Sequence, residues 1–404
     1  MSDLNISLED VKRAQANIAK VVRKTPTHLA LSSALSQDEV YFKMENLQLT
    51  GSFKIRGSLN KISSLTTEEK QRGVIAASAG NHAQGVAMSS QLFKVKSKIV
   101  MPETAPLIKI SATRSYGAEV ILHGRFFDEA FEKAQEIAKN EGLVFVHPYE
   151  DPKVIAGQGT IGFEILEAIP NLKSIVVPIG GGGLISGIAF VIKQINPKCK
   201  VIGVVSNQTP GMMEFKTGLE FEKPKKVSSI ADGIAVKRTS KKMFETYIGP
   251  YVDQIVSVDD EEISQAIVYA METEKTILEG SGAAGLAAVL CKKVELSGPS
   301  CVVLCGGNID LNTIVSVIDT GLRRQGRLAR ISTIVDDLPG TLADLTRIFA
   351  DMRANVLDVI HDRVSPELSL RQTRIDFLIE TSSFEHIEKI KAEIKKQNIR
   401  ILER

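Results

Sequence analysis

No stretch of this chain approaches the roughly eighteen consecutive apolar residues that a membrane-spanning helix needs, so none is expected. The start, Met1-Ser2-Asp3-Leu4-Asn5, is polar and acidic rather than basic then apolar, which gives no signal peptide to expect. Charge of one sign is also missing: 50 Lys and Arg stand against 48 Asp and Glu. That balance removes the electrostatic case for nucleic acid or an anionic membrane as partner. The four cysteines, Cys199, Cys291, Cys301 and Cys305, include no C-x-x-C pair and have no His cluster nearby. A reduced, cytoplasmic chain without a zinc site is the expectation. Low-complexity segments are absent too, and 404 residues at 43% apolar composition suffice for two or three globular units.

Ser7 to Val22 reads as an amphipathic helix, with Ser7 as cap and Asp10 three positions on, ended by Thr25-Pro26-Thr27. From Val40 onward, strand-like runs alternate with helical patterns: Tyr41-Phe42, Val74 to Ala77, Lys98 to Met101, Val120 to Leu122, Val144 to His147, Ile175 to Ile179, Val201 to Ser206, Ile255 to Val258 and Val302 to Cys305. Alternation at that spacing predicts an α/β fold with a mainly parallel sheet. After Cys305 comes one more helical stretch, Asp310 to Leu322, and then a polar segment, Arg323 to Arg327, that reads as a linker. The rest carries a β-α-β-β-α-β signature: Leu328 to Val335, Thr341 to Met352, Val356 to Asp362, Arg371 to Ile379, Phe384 to Gln397 and Ile399 to Leu402. Leu342, Leu345, Ile348, Phe349 and Met352 recur at helical spacing, which gives one apolar face and a ferredoxin-like module. Such a module serves regulation, or only packing and oligomerisation.

Three stretches carry chemistry. Thr50-Gly51-Ser52-Phe53-Lys54-Ile55-Arg56-Gly57 sets one lysine beside an aromatic ring in a glycine-flanked turn. Carbonyl chemistry needs a neutral amine, and partial desolvation supplies one; otherwise Lys54 is an ordinary surface lysine. Ala76 to Gly85, at the tip of a strand entering a helix, is rich in small residues and leaves N–H groups free for an anion. Gly180-Gly181-Gly182-Gly183 lies between a strand-like run and an apolar helix, where the backbone can wrap a phosphate. It is not a P-loop, since no Gly-Lys-Ser/Thr follows. It is not a dinucleotide fingerprint either, because the register fails at Ile185 and Ser186.

With these motifs the chain resembles the threonine dehydratases (threonine ammonia-lyases) of the fold-type II pyridoxal-phosphate family. T-G-S-F-K-I-R-G, S-A-G-N-H-A-Q-G, G-G-G-G-L, E-G-S-G-A and C-G-G-N appear in that family's order between residues 50 and 308. The resemblance implies a two-subdomain, tryptophan synthase β-like catalytic domain over 1-325, with a small subdomain at about 48-150 and the cofactor in the cleft between subdomains. Residues 326-404 are similar to an ACT domain, whose D-x-P-G-x-L turn reads Asp337 to Leu342.

The resemblance also implies roles. Lys54 holds pyridoxal phosphate as a Schiff base and later takes the α-proton. Phe53 faces the ring, or is a plain core residue. Asn81 meets the ring hydroxyl, while Ser78, Gly80, Asn81 and His82 surround the substrate carboxylate by backbone and side chain. Gly180 to Leu184 hold the phosphate, Cys305 stands by the ring nitrogen, and Glu279 lies near the ring. Ala79 stands where serine racemases of this fold carry the second acid/base, which argues against racemisation. Val205 and Ser206 stand where metal-dependent relatives place an acid, so no divalent-cation site is expected. Pro339, Gly340 and Asn355 are candidates for an amino-acid or nucleotide effector, at a site shared by paired modules in a dimer or tetramer. The implied reaction is deamination of threonine, and of serine. A β-replacement enzyme of the same fold and a non-catalytic amino-acid-binding regulator are the alternatives. The single ACT-like unit inclines the reading toward a catabolic enzyme over one of isoleucine biosynthesis.

Overall fold

The computed structural model describes residues 4–222, 224, 229–364 and 368–402. The chain forms two compact units, Met1–Asp310 and Leu311–Arg404. The helix Leu311–Arg324 thus belongs to the second unit, ahead of the polar stretch that reads as a linker.

The first unit is built on two sheets. β1 (Thr27–Leu29), β2 (Val40–Lys43), β7 (Ser174–Pro178), β8 (Lys200–Ser206), β9 (Gln254–Val258) and β10 (Ser300–Val303) make a six-stranded sheet in the order β1-β2-β10-β7-β8-β9. β3 (Val74–Ala77), β4 (Ser97–Met101), β5 (Glu119–Leu122) and β6 (Val144–Phe145) make a four-stranded one, β5-β4-β3-β6. All their pairings are parallel except β1 with β2. Every residue of β3, β7 and β10 is buried, as strands covered by helices on both faces must be.

Each apolar run read as a strand forms one, but three stop short, β7 by one residue at Pro178. β6 ends at Phe145 and β10 at Val303, which releases His147 and Cys305 into loops beyond the strand ends. β1 had no sequence signal, because Pro26 reads as a break; the three residues after it add an antiparallel edge to β2. The first helix carries the expected Ser7/Asp10 capping box but runs only Leu8–Ile18.

Lys54 is not in a turn. It is the first residue of the helix Lys54–Ser63, entered from a tight bend in which Thr50 has φ 60° and Gly51 φ 69°. That helix packs against Asn81–Phe93 of the small subdomain and Pro152–Ala168 of the large one. Its buried anchor is Arg56, which is fully enclosed. The guanidinium grips Glu45 through Nε and Nη2, both at 2.8 Å, and donates to Glu164 at 2.6 Å and 3.0 Å. Lys43 Nζ completes the set on Glu164 at 2.5 Å and on the Thr25 carbonyl at 2.8 Å. Two acids and two bases out of water balance in charge.

In the second unit β11 (Leu328–Asp336), β12 (Asn355–Asp362), β13 (Gln372–Glu380) and β14 (Arg400–Leu402) form an antiparallel sheet, β12-β13-β11-β14, with helices Thr341–Asp351 and Phe384–Lys396. This is the expected ferredoxin-like arrangement. Leu345, Ile348 and Phe349 enter its core, where Phe349 and Phe377 meet edge to face at 4.8 Å. Leu342 is the exception on that face: it is 38% exposed, since it lies in the first helical turn, beyond the reach of the sheet.

Arg56→Met leaves Glu45 and Glu164 buried with one lysine between them. It is expected to destabilise the first unit by about 3–5 kcal/mol, read as a lowered urea midpoint; an unchanged midpoint would refute the anchoring role.

Candidate active site

A cavity of about 470 Å³ opens beyond the strand ends of the two sheets of the first unit, lined by residues of all three chemical stretches. Lys54 Nζ lies 5.2 Å from the centre of the Phe53 ring and donates to the Pro148 carbonyl at 3.3 Å. Burial pulls its pKa down from the ordinary 10.5 to about 8, against the opposing pull of Cys305 and Glu279. Phe53 is 9% exposed and joins the main core while lining the cavity.

The lysine's approach is fixed by a short antiparallel seam. Phe53 N–H donates to the Cys305 carbonyl at 3.2 Å, Gly307 N–H to the Gly51 carbonyl at 2.9 Å, and Ser52 bridges Gly306. Asn308 Nδ2 then donates to the Thr50 carbonyl at 2.6 Å and to Asn81 Oδ1 at 2.7 Å. Asn81 Nδ2 in turn donates to Glu279 Oε1 at 2.7 Å. Gly51 is required twice over, by its positive φ and because a Cβ there would overlap the Asn308 amide.

Two thirteen-residue helices bring their N-termini to the cavity. Asn81–Phe93 begins after Gly80, whose N–H is held by Ser78 Oγ at 3.1 Å; Ser78, Ala79, Gly80, Asn81 and His82 all line the wall. Gly183–Ile195 begins after Gly182, at φ 95°. Among the described residues, no carbonyl accepts from the N–H groups of Gly180, Gly181 or Gly182. The run must be glycine because the surroundings press on it. A Cβ on Gly181 would overlap the Tyr149 ring, one on Gly183 would lie 2.8 Å from Tyr149 Cβ, and one on Gly180 would lie 2.8 Å from the Gly233 carbonyl. Unpaired N–H groups at a helix N-terminus favour an anion. Leu184 follows on the same wall.

The ionisable groups here are held close to neutrality. Glu279, at the N-cap of the helix Gly280–Leu290, is 6% exposed, and burial pushes its pKa up to about 7. Burial drives the Cys305 thiol up as well, so it stays protonated; its S–H donates to the Ser281 carbonyl at 3.5 Å.

The His82 side chain corrects the sequence reading. Its Nε2–H donates to the Val146 carbonyl at 2.9 Å, and burial takes its pKa down to about 3. Nδ1 is therefore a lone pair, which cannot bind a carboxylate; only the backbone of His82 can serve that role.

Sequence reasoning missed Asn308 as a site residue, although it closes the C-G-G-N motif. It also missed Tyr149 and a bridge across the cavity mouth. There Lys109 pairs with Asp232 at 2.7 Å, Arg238 with Asp128 at 3.8 Å, and Lys237 lies 5.4 Å from the centre of the Phe126 ring. These partners are far apart in sequence, and no local pattern announces them.

In the second unit Pro339 and Gly340 precede the helix Thr341–Asp351, with Gly340 as N-cap at φ 99°. Asn355 opens β12 and pairs with Glu380, which also pairs with Leu328 at the start of β11. The Pro339-Gly340 turn follows the other end of β11, where Asp336 pairs with Gln372. Within one module these candidates therefore lie at opposite ends of the sheet and form no common site.

A family model described as pyridoxal-phosphate dependent enzyme matches residues 18–306, and an ACT domain model matches 329–398. An L-threonine ammonia-lyase of Thermotoga maritima is 49% identical over 95% of this chain and 96% of its own length. A catabolic L-threonine dehydratase of Staphylococcus aureus is 45% identical over 78% of this chain and 93% of its own. Among solved structures, the processed form of threonine deaminase isoform 2 from Solanum lycopersicum superposes with a TM-score of 0.70 at 36% identity, covering 78% of this chain and 89% of that one. The residues fit such a cofactor: a glycine cradle with unpaired N–H groups for a phosphate, and an amine of lowered pKa for an aldehyde.

Only a neutral amine attacks an aldehyde, so the rate at which apoprotein captures pyridoxal phosphate is expected to rise about tenfold per pH unit below about 8 and then level. A midpoint near 10.5 would show that Lys54 is solvated. The same depressed pKa has a signature in stability. The folded state binds fewer protons than the unfolded between about 8 and 10.5, so the apoprotein gains stability as pH rises through that window.

Proposed function

The chain belongs to the pyridoxal-phosphate dependent enzymes and carries a C-terminal ACT domain, and on that footing we propose that it deaminates L-threonine, and L-serine, to 2-oxobutanoate or pyruvate with release of ammonia. The observation that carries this is one amine of lowered pKa, Lys54, in a cavity with two helix N-termini on its wall. One suits the cofactor's phosphate and the other the substrate's carboxylate. The names of relatives spanning most of the chain support threonine as substrate.

When bound, pyridoxal phosphate supplies the electron sink that makes a substrate's α-C–H acidic. Lys54 Nζ would hold the aldehyde carbon, and as a free amine it would take the substrate's α-proton, a role that a pKa near 8 suits. Gly180 to Leu184 hold the phosphate by backbone N–H groups, and the Phe53 ring walls off water. Asn81, its carboxamide oriented by Asn308 and Glu279, meets the ring hydroxyl. Ser78, Gly80 and the backbone of Asn81 and His82 receive the substrate carboxylate. Cys305 stays a neutral group beside the ring.

Serine racemases are among the structural neighbours. In this chain, however, the wall of the cavity carries Ala79, which has no proton to give to the second face of the substrate. Elimination is the reading this favours.

In the ACT domain, the Thr341 N–H donates to the Leu338 carbonyl at 3.3 Å, and the N–H groups of Leu342 and Ala343 behind it suit the carboxylate of an amino-acid effector. Gly340 and Asn355 can share one ligand only if two modules meet. The edge strand β12 exposes Leu357, Val359 and Ile360, an apolar strip suited to pairing in a dimer or tetramer. The enzyme is read as cytoplasmic.

Lys54→Ala is expected to abolish 2-oxobutanoate formation from threonine; turnover near that of wild type would sink the assignment. Gly340→Asp sets a carboxylate where an anionic effector would lie. It should leave basal turnover intact and remove any response to isoleucine or valine; a preserved response would place the effector elsewhere.

A further inference from the structure

His147 lies in the segment 146–151 that leads from β6 to the helix Pro152–Ala168, and no step of the reaction uses it. Its Nδ1 accepts two backbone N–H groups, from Glu150 at 2.7 Å and from Tyr149 at 3.3 Å. Among the described residues no backbone carbonyl accepts from either N–H, so the imidazole is what folds the turn. A ring nitrogen that accepts bears no proton, which puts the proton on Nε2 and leaves the ring neutral. Burial takes its pKa down to about 4, with Glu150 and Asp151 pulling the other way and Lys54 adding to the fall. The acceptor therefore persists at neutral pH. Tyr149 and Phe131 meet the ring edge to face at 4.7 Å and 5.6 Å.

What this turn carries reaches the cavity. The Pro148 carbonyl accepts from Lys54 Nζ at 3.3 Å, and the Tyr149 ring fills the space that a Cβ on Gly181 would need. One residue upstream, the Val146 carbonyl is held by His82 Nε2–H at 2.9 Å. Downstream, Asp151 accepts from the N–H groups of Lys153 and Val154 and pairs with Lys61 at 2.7 Å. Both ends are thus tied, and the part between them takes its shape from one side-chain nitrogen. Without it, two N–H groups beside a buried amine turn to water, and the carbonyl and ring that enclose Lys54 move with them. We infer that His147 is a positioning residue for Lys54: its Nδ1 ties the turn that sets the Pro148 carbonyl on the lysine and seats the Tyr149 ring against the glycine loop. The role of Lys54 toward an aldehyde rests on the cofactor reading proposed above.

The test follows capture of pyridoxal phosphate by full-length apoprotein against pH, in wild type and two complementary variants. His147→Phe keeps a ring for Phe131 and Tyr149 to pack on but has no acceptor. His147→Asn loses the ring and keeps an acceptor oxygen that reaches the N–H two residues on. In His147→Phe water reaches Lys54 and relieves the desolvation that depresses its pKa, so the midpoint should rise from about 8 by about one pH unit, with capture about tenfold slower on the acid side. Cys305 and Glu279, which oppose that depression, are untouched by either change. His147→Asn should keep the wild-type midpoint. A general loss of stability lowers the fraction of protein that reacts and leaves the midpoint where it was. Circular dichroism checks the fold; should His147→Phe not fold, His147→Ala removes the same acceptor and takes its place. A midpoint unmoved by loss of the acceptor, or moved as far in His147→Asn, overturns the inference, the second result by assigning the effect to ring packing. Wild-type apoprotein that captures no pyridoxal phosphate overturns the cofactor reading instead.

Discussion

Everything at this site depends on holding one lysine at the start of a helix, and the buried Arg56 cluster is what fixes that helix. Arg56 shares its helix with Lys54 and is tied to Glu45 next to β2 and to Glu164 on the helix Pro152–Ala168. Buried ion pairs add little net stability over well-packed apolar residues, because desolvation offsets most of the attraction. Their value is geometric, since a bidentate guanidinium accepts one arrangement of its partners where an apolar contact accepts many. Three elements distant in sequence are thereby set in one register. The seam of residues 51–53 on 305–307 then carries that register to the cavity wall.

Given that scaffold, the electrostatics of the cavity follow from burial. Burial leaves His82 neutral and Cys305 protonated, and it brings Lys54 to about 8 and Glu279 to about 7, so that both titrate close to neutral pH. What remains is the partial positive charge of helix N-termini. A cavity built this way suits a ligand that brings its own negative charges, a phosphate and a carboxylate, while giving it an amine whose neutral form is reached far more readily than that of a solvated lysine. The groups that cost stability when buried are the ones with chemistry to do.

How much of this the sequence shows depends on the range of the interaction. Contiguous features were legible: the β-strand runs, the Gly180–Gly183 loop between strand and helix, the order of the five motifs and the ferredoxin-like pattern. Lys54 was found but misplaced by half a turn of structure, because the Thr50-Gly51 bend and the helix start are adjacent and both tolerate glycine. His82 was given a side-chain role that the structure denies, since the Val146 carbonyl that claims its ring lies on another strand's exit. Asn308 lay within a legible motif, C-G-G-N, yet its bonds to Thr50 and Asn81 depend on which segments meet in space. Nothing local in the sequence marks the Lys109–Asp232 and Asp128–Arg238 pairs.

The ACT domain shows the same limit from the other side. Its elements were legible to within a residue or two, yet the two ends of its proposed effector site are separated by the length of a sheet within one module, as the pairings of Asn355 with Glu380 and of Asp336 with Gln372 require. A ligand touching both must therefore be held by two copies. Binding then couples to assembly by necessity, because any molecule that favours the paired modules also stabilises the oligomer. By the same linkage, it changes activity only so far as the paired state differs from the unpaired one. An effector held in this way would act through the association of two copies of the chain, with typical coupling of about 1–3 kcal/mol.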